Sequence, residues 1–460
     1  MSRFVLLSVV IALSSGGAVW AQAVSGTAPS DWAPPSGQQL APATESVETT
    51  GSSELPTLEW HASATSPEVG AEAEQEAGPR VDLPGPGTPR WKVITYVTQK
   101  SSIDDNIYIS HANKQSDVSF SIAPGFAAGW GDFRSALLAR SSRFADEYGQ
   151  TREPVNDPLD GNFAYVNYTA NATHFVSHDS EDAIDQDALM SGQWRFTKML
   201  LGATARFQTL SGPDIDVGTR TRRDIFTFNT TGNYSLSDKT SLDMEAGGIV
   251  RNYATELNSS EWHAQVFADY QIYPKTTIGA GVVAGVRQLQ TAPDQYYEQA
   301  QVRAGYNATA KLTLNVSGGL EIDEADGSTK LNPVFGVGLS YLLDDKDTLS
   351  LSASRSTSSS AVTTGETMEI MGLDFQVRHR LYSNFSIACS VGYNHADYYE
   401  QGLSTLVRRD DYIFVRPSLA YDFAQWSEIE LSYEYHRDIS TIQPFDFAEN
   451  IASLQFNFVF

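Results

Sequence analysis

Cysteine is almost absent: Cys389 is the one cysteine in 460 residues. That excludes an internal disulfide framework and any zinc cluster built on cysteines. No run of ~20 consecutive apolar residues occurs, so no ordinary transmembrane helix is encoded. Positive charge is scarce. Lys and Arg number 31 against 56 Asp and Glu, a formal net charge of -25, which argues against a nucleic-acid partner because such proteins present a basic face. No GxSxG, HExxH or GxxxxGK[ST] pattern is found. The eight histidines, among them His263, His379, His395 and His436, are scattered singly. "DDKD" at 344–347 reads as a polar hairpin turn rather than a calcium loop. The paired acids Asp243/Glu245 and Glu430/Glu434 read as a hydrated wall rather than an acid/base pair. No enzyme activity, cofactor or metal is therefore expected.

The N-terminus carries an address. "MSRFVLLSVVIALSSGGAVWAQA" has Arg3, an apolar run from Phe4 to Leu13, and the small-x-small site Ala21 to Ala23. Residues 1–23 are expected to be a secretory signal peptide, with no cysteine after it to carry a lipid anchor. Residues 24–89 are rich in Pro, Ser, Ala and Glu and lack an apolar period. Such a segment buries too little surface to offset its ordering entropy, so a disordered acidic arm is expected. The folded part is expected over 90–460.

From Trp91 onward the period is two. "TLNVSGGLEI" sets Leu314, Val316, Leu320 and Ile322 on one face and Thr313, Asn315, Ser317 and Glu321 on the other. "EWHAQVFADYQ" and "SEIELSYEYH" alternate likewise, which predicts strands with one polar face. Short turns such as "LSDKT" (236–240), "YPKT" (273–276) and "YSN" (382–384) alternate with segments read as long polar loops: "TLSGPDIDVGTRTRR", "QTAPDQYY" and "STSSSAVTTGETM". A soluble all-β protein is the rival. Yet the polar faces carry charges over many strands, and the apolar faces end in aromatics: Phe207, Tyr234, Tyr341, Tyr393, Tyr421, Trp426, Tyr433 and Tyr435. That is the inverted pattern of an outer-membrane barrel, with lipid outside and a polar lumen. The expectation is an all-β, transmembrane, antiparallel up-and-down barrel of about 18 strands, with 16 as the alternative. Residues 131–160 are expected to form a periplasmic insertion with a short helix, a strand over 133–144 being the competing assignment.

The last residues, "SLQFNFVF", place Phe456, Phe458 and Phe460 on one apolar face. In a closed barrel that strand pairs with the first and leaves no edge. The terminal phenylalanine also resembles the signal read by bacterial outer-membrane assembly machinery, so Phe456, Phe458 and Phe460 are the expected assembly signal. The expected partners are that machinery and the outer-membrane bilayer. Alternation points Asp243, Glu245, Arg251, Arg287, Arg303, Glu321, Asp374, Arg378, Arg416, Glu430 and Glu434 into the lumen, where a water-filled pore with both signs of charge is expected.

The segments "DDNIYIS", "SDVSFSIAPGFAAGWGD", "SGPDIDVGTRTRRD", "LSDKTSLD", "NPVFGVGLSY", "TLSLSASRSTSSSA" and "RRDDYIFVRPSLAYDF" together resemble the putative beta-barrel porin (type 2) family of Gram-negative bacteria. The resemblance implies the fold and location of an outer-membrane barrel and, by analogy, transport; with the polar lumen, the expected function is a channel for passive diffusion of small hydrophilic solutes. The setting of that family near exopolysaccharide and protein-sorting loci implies an alternative: an outer-membrane component of exopolysaccharide export or a secretion-linked locus, with a polysaccharide or a periplasmic export partner.

Overall fold

The computed structural model describes residues 91–131 and 162–460, apart from positions 291, 310, 326, 344–345, 364–365, 401–404 and 425. The expectations for residues 1–23 and 24–89, and the helix expected within 131–160, fall outside the described residues.

Eighteen antiparallel strands form one closed sheet. They are β1 (Lys92–Asp104), β2 (Asp117–Trp130), β3 (Phe163–Phe175), β4 (Ala183–Arg195), β5 (Met199–Asp214) and β6 (Thr219–Ser235). Next come β7 (Thr240–Tyr253), β8 (Ser259–Tyr273), β9 (Thr276–Leu289), β10 (Gln295–Thr309), β11 (Leu312–Ala325) and β12 (Ser328–Leu342). The series ends with β13 (Asp347–Ser359), β14 (Thr367–Tyr382), β15 (Phe385–Tyr399), β16 (Leu406–Ala424), β17 (Ser427–Ser440) and β18 (Phe447–Val459). Each strand pairs with its neighbours in sequence. β18 closes on β1 from Tyr96↔Val459 to Asp104↔Ile451, and Thr95 and Phe460 exchange backbone hydrogen bonds of 3.3 and 2.7 Å. No strand edge is left at this closure, as a membrane-spanning sheet requires.

The burial pattern is inverted relative to a soluble protein. Val302, Leu320, Leu331, Met190 and Leu431 are exposed, whereas Arg223, Arg287, Glu321, Glu434 and Asp438 are buried. Exposing that much apolar surface to water would cost roughly 25 cal/mol per Å², so the outer face belongs in lipid. Trp194, Phe196, Tyr234, Tyr270, Tyr273, Tyr306, Tyr382, Tyr421 and Trp426 are exposed close to the short turns, where an aromatic girdle meets the headgroups. The end bearing these turns is called the short-turn rim, and the opposite end the mouth.

Two segments read as loops are strand instead. "TLSGPDIDVGTRTRR" continues β5 and β6 up to a turn at 215–218. Both ends of "STSSSAVTTGETM", residues 356–359 and 367–368, are the paired end of β13 and β14, down to Ser359↔Thr367. Turn-forming residues misdirect the reading in the first case; burial of both faces removes the alternation in the second.

Candidate functional site: the barrel lumen

The lumen is built by inward positions of every strand. Glycines on β9 make room for it: a Cβ on Gly281 would meet the Phe267 ring at 2.5 Å, and one on Gly285 the Tyr297 ring at 2.3 Å. These rings lie flat against the wall and carry arginines. The Arg303 guanidinium sits 4.1 Å over Phe267 and that of Arg287 sits 4.2 Å over Tyr297, a cation–π arrangement strengthened by desolvation.

Both arginines are surrounded by carboxylates. Arg303 donates to Asp269 at 3.0 Å and to Asp243 at 2.9 Å. Asp243 lies on β7, three strands away, a reach possible only across the concave face. Arg287 donates to Asp323 at 2.8 Å and pairs with Glu261 and Glu321 at 3.6 and 3.8 Å. Tyr297 donates its hydroxyl to Glu261 at 2.6 Å. Glu245 accepts from Asn229 at 3.0 Å and Gln265 at 2.6 Å. Arg251, Asp374 and Glu430 are buried on the same face. Arg416 is partly exposed and pairs with buried Glu434 at 3.4 Å. Arg378, also partly exposed, donates to Ser386 at 3.4 Å.

The lumen divides into two halves. Toward the short-turn rim the inward positions Arg206, Asn315, Ser340, Ser350, Ser352 and Ser390 are partly exposed and form an accessible vestibule, while Asp269, Arg303, Ser427, Glu430 and Asn457 in the same half are buried in the wall. Toward the mouth most inward side chains are packed out of contact with solvent, although Ser121, Asn171, Thr173 and Asp185 stay partly exposed along β2–β4. The water-filled lumen expected from the sequence therefore differs from this conformation in its upper half. The physical reason is the inward folding of two hairpins.

The first is the β5–β6 tip. Gly212 to Asp216 are all buried, and Gly218 has φ of 76°, a left-handed conformation favoured by glycine. Ile215 joins Ile109, Tyr412, Phe414 and Phe447 in an apolar cluster inside the mouth. Arg408 on β16 donates to the backbone carbonyls of Asp216 and Ile215 at 2.8 and 3.0 Å. Its guanidinium stacks 3.5 Å from the Phe445 ring. The Asp216 carboxylate accepts from the Ser360 hydroxyl at 2.9 Å and the Ala361 amide at 2.6 Å. Burial pushes the Asp216 carboxyl up to about 7, with Asp214 adding to the rise and Arg408 opposing it.

The second is the end of β13–β14. Ser356 to Ser360, Thr367 and Ile370 are buried. Thr367 accepts a hydrogen bond of 3.1 Å from Gln295 on β10. Along an unbroken wall β10 and β14 would be about 19 Å apart, four strand spacings. The hairpin end therefore lies inside the barrel.

Sequence reasoning missed Asp216, Arg408, Ser360 and Glu261. Arg408 and Glu261 were within reach, since they share the phase of Arg416 and Gln265. Asp216 and Ser360 had no local signal, their partners being distant in sequence. Phe456, Phe458 and Phe460 lie on the outer phase of β18, where Trp426 stacks on Phe458 at 6.1 Å and Phe460 at 6.5 Å.

Among solved structures the chain is similar to OpdK of Pseudomonas aeruginosa with vanillate, at 13% identity and TM-score 0.40, covering 80% of this chain and 99% of that one. It is similar to Acinetobacter baumannii OccAB3, at 10% identity and TM-score 0.39, over 80% and 99%, and to the copper transporter OprC, at 8% identity and TM-score 0.42, over 82% of each chain. At these scores the likeness carries no functional information. No curated protein matches the chain. Residues 90–459 match the family described as "Putative beta-barrel porin 2": the chain is an outer-membrane β-barrel belonging to that family.

Proposed function

We propose that the protein is a gated outer-membrane channel for passive diffusion of small hydrophilic solutes, with no enzymatic step. The observation that carries this reading is the polar, partly exposed vestibule enclosed by an apolar outer wall. Solute enters water at the vestibule, and the mouth must yield for it to cross. Arg206, Arg378 and Arg416 are the cationic groups best placed to act on passing ions. The remaining residues named from alternation, from Asp243 and Glu430 near the short-turn rim to Arg251, Arg287 and Glu321 toward the mouth, hold the wall together as much as they line a path.

Swelling of proteoliposomes in sugars of increasing size tests the reading. Small sugars should enter faster than in protein-free vesicles, with a size cutoff. A correctly folded barrel that admits no sugar under any condition would contradict passive diffusion and favour the export role.

A further inference from the structure

The ladder between β12 and β13 stops halfway up the wall. Among the described residues it runs only from Leu342↔Thr348 to Phe335↔Arg355. The flanking ladders continue to the mouth, β11–β12 as far as Ala325↔Ser328 and β13–β14 as far as Ser359↔Thr367. Residues 328–334 of β12 thus have a neighbour on one side only, a free edge in the upper wall. Pro333 lies in this stretch and has no backbone N–H, a residue tolerated at a sheet edge. β13 does not stop at Phe335; it turns inward. Thr357 donates to Glu321 on β11 at 2.8 Å, which places β13 beneath the inner faces of β11 and β12. Glu369 of the same hairpin pairs with Lys330 of β12 and, at 2.8 Å, with Arg355.

We propose that the β13–β14 end is a hinged flap that gates the channel. It swings about Phe335 and Arg355 together with the mouth end of β15, to which β14 stays paired as far as Thr367↔Tyr399, leaves the lumen, and pairs with the free edge of β12. This inference rests on the channel reading and names its regulation. A free edge in a membrane barrel is costly because its backbone groups lack partners, and the strand able to satisfy it is next in sequence. Continuing the existing register sets Asn332 opposite Ser358 and Lys330 opposite Ser360. The inward state is held instead by the contacts of Thr357 and Thr367 with the inner wall, by the Glu369 pairs, and by Asp216 at the tip. Two exclusive sets of contacts for one segment make the element bistable.

Cysteine pairs in a Cys389→Ser background test this in native outer membranes and in planar bilayers. Glu321→Cys/Thr357→Cys locks the flap inward, and Gln295→Cys/Thr367→Cys does the same should loss of Glu321 prevent folding. Asn332→Cys/Ser358→Cys locks it outward, as residues directly opposed across a ladder lie close enough to bridge. Each oxidised pair is compared with its own reduced form. Both inward and outward pairs should cross-link, the inward lock should abolish current, and the outward lock should hold the channel open. Failure of the outward pair to cross-link, while an inward pair does, overturns the flap. So does a current that neither lock alters, which leaves the channel reading standing. If no form conducts, outward lock included, it is the channel reading that fails, while cross-linking still decides whether the flap moves.

Discussion

Arg303 holds two carboxylates from different strands, Asp269 and Asp243, in a buried site. Removing the arginine leaves both acids without their shared cation. Breaking a buried pair from one side costs about 3–5 kcal/mol, so Arg303→Met should destabilise the barrel by about that much in urea titrations in detergent. Adding Asp243→Asn and Asp269→Asn should recover much of the loss, because no unpaired charge is then buried. An unchanged midpoint for Arg303→Met would show that the cluster contributes no stability. Arg378 and Arg416 differ in being partly exposed in the vestibule. Replacing both by Glu should move the reversal potential toward cation selectivity, and the shift should shrink at high salt as the Debye length falls. Equal reversal potentials for parent and variant at low salt would remove these residues from the ion path. The inward phase of Arg303, Arg378 and Arg416 was legible in the alternation. Their different environments were not, because depth along a strand and distance to a hairpin folded in from elsewhere leave no trace in a period of two.

Among the elements, β18 and β5–β6 show where the sequence was and was not informative. The strand Phe447–Val459 alternates cleanly because one face meets lipid and the other the lumen. Its register with β1, from Tyr96↔Val459 upward, closes the barrel. Deleting Phe458 to Phe460 should therefore lower assembly yield far more than deleting residues 24–85, scored by heat-modifiable mobility of outer-membrane protein. Similar yields for the two deletions would contradict a role for this strand end in closure or recognition. In β5–β6, Gly212, Pro213 and Gly218 suggest a loop locally, and lower-strand alternation fades toward the tip. What makes the tip ordered is a set of remote contacts, above all Arg408 gripping the carbonyls of residues 215 and 216. The serines of β13 are a parallel case. A segment enclosed on both faces has no reason to alternate, and a two-sided polar strand has the composition of a connection.

For the whole molecule, closure of the mouth is expected to be linked to protons. The Asp216 carboxyl lies at about 7 while buried and would return to roughly 3.9 when released into water. The closed state thus binds the proton more tightly than the open one. Its contribution to closure is fully present below the released value and is lost as pH rises through the interval up to about 7. The groups around it are Asp214 on its own hairpin, Arg408 and Asp410 on β16, Tyr398 on β15, and Glu366 in the flap itself, whose carboxyl burial also raises. Glu366 therefore acts with the same sign. Open probability should be greater at pH 8 than at pH 5, and Asp216→Asn should flatten this dependence while favouring the closed state. A dependence of opposite sign, or one unaltered in Asp216→Asn, would separate the tip from gating.

A water-filled path closed by hairpins at one end has a direct electrical signature in single-channel recording of the full chain in planar bilayers. Long closed periods should be broken by discrete openings, more frequent at pH 8 than at pH 5. A permanently open conductance would contradict closure by the hairpins, and a bilayer holding folded protein that never conducts would contradict the path itself.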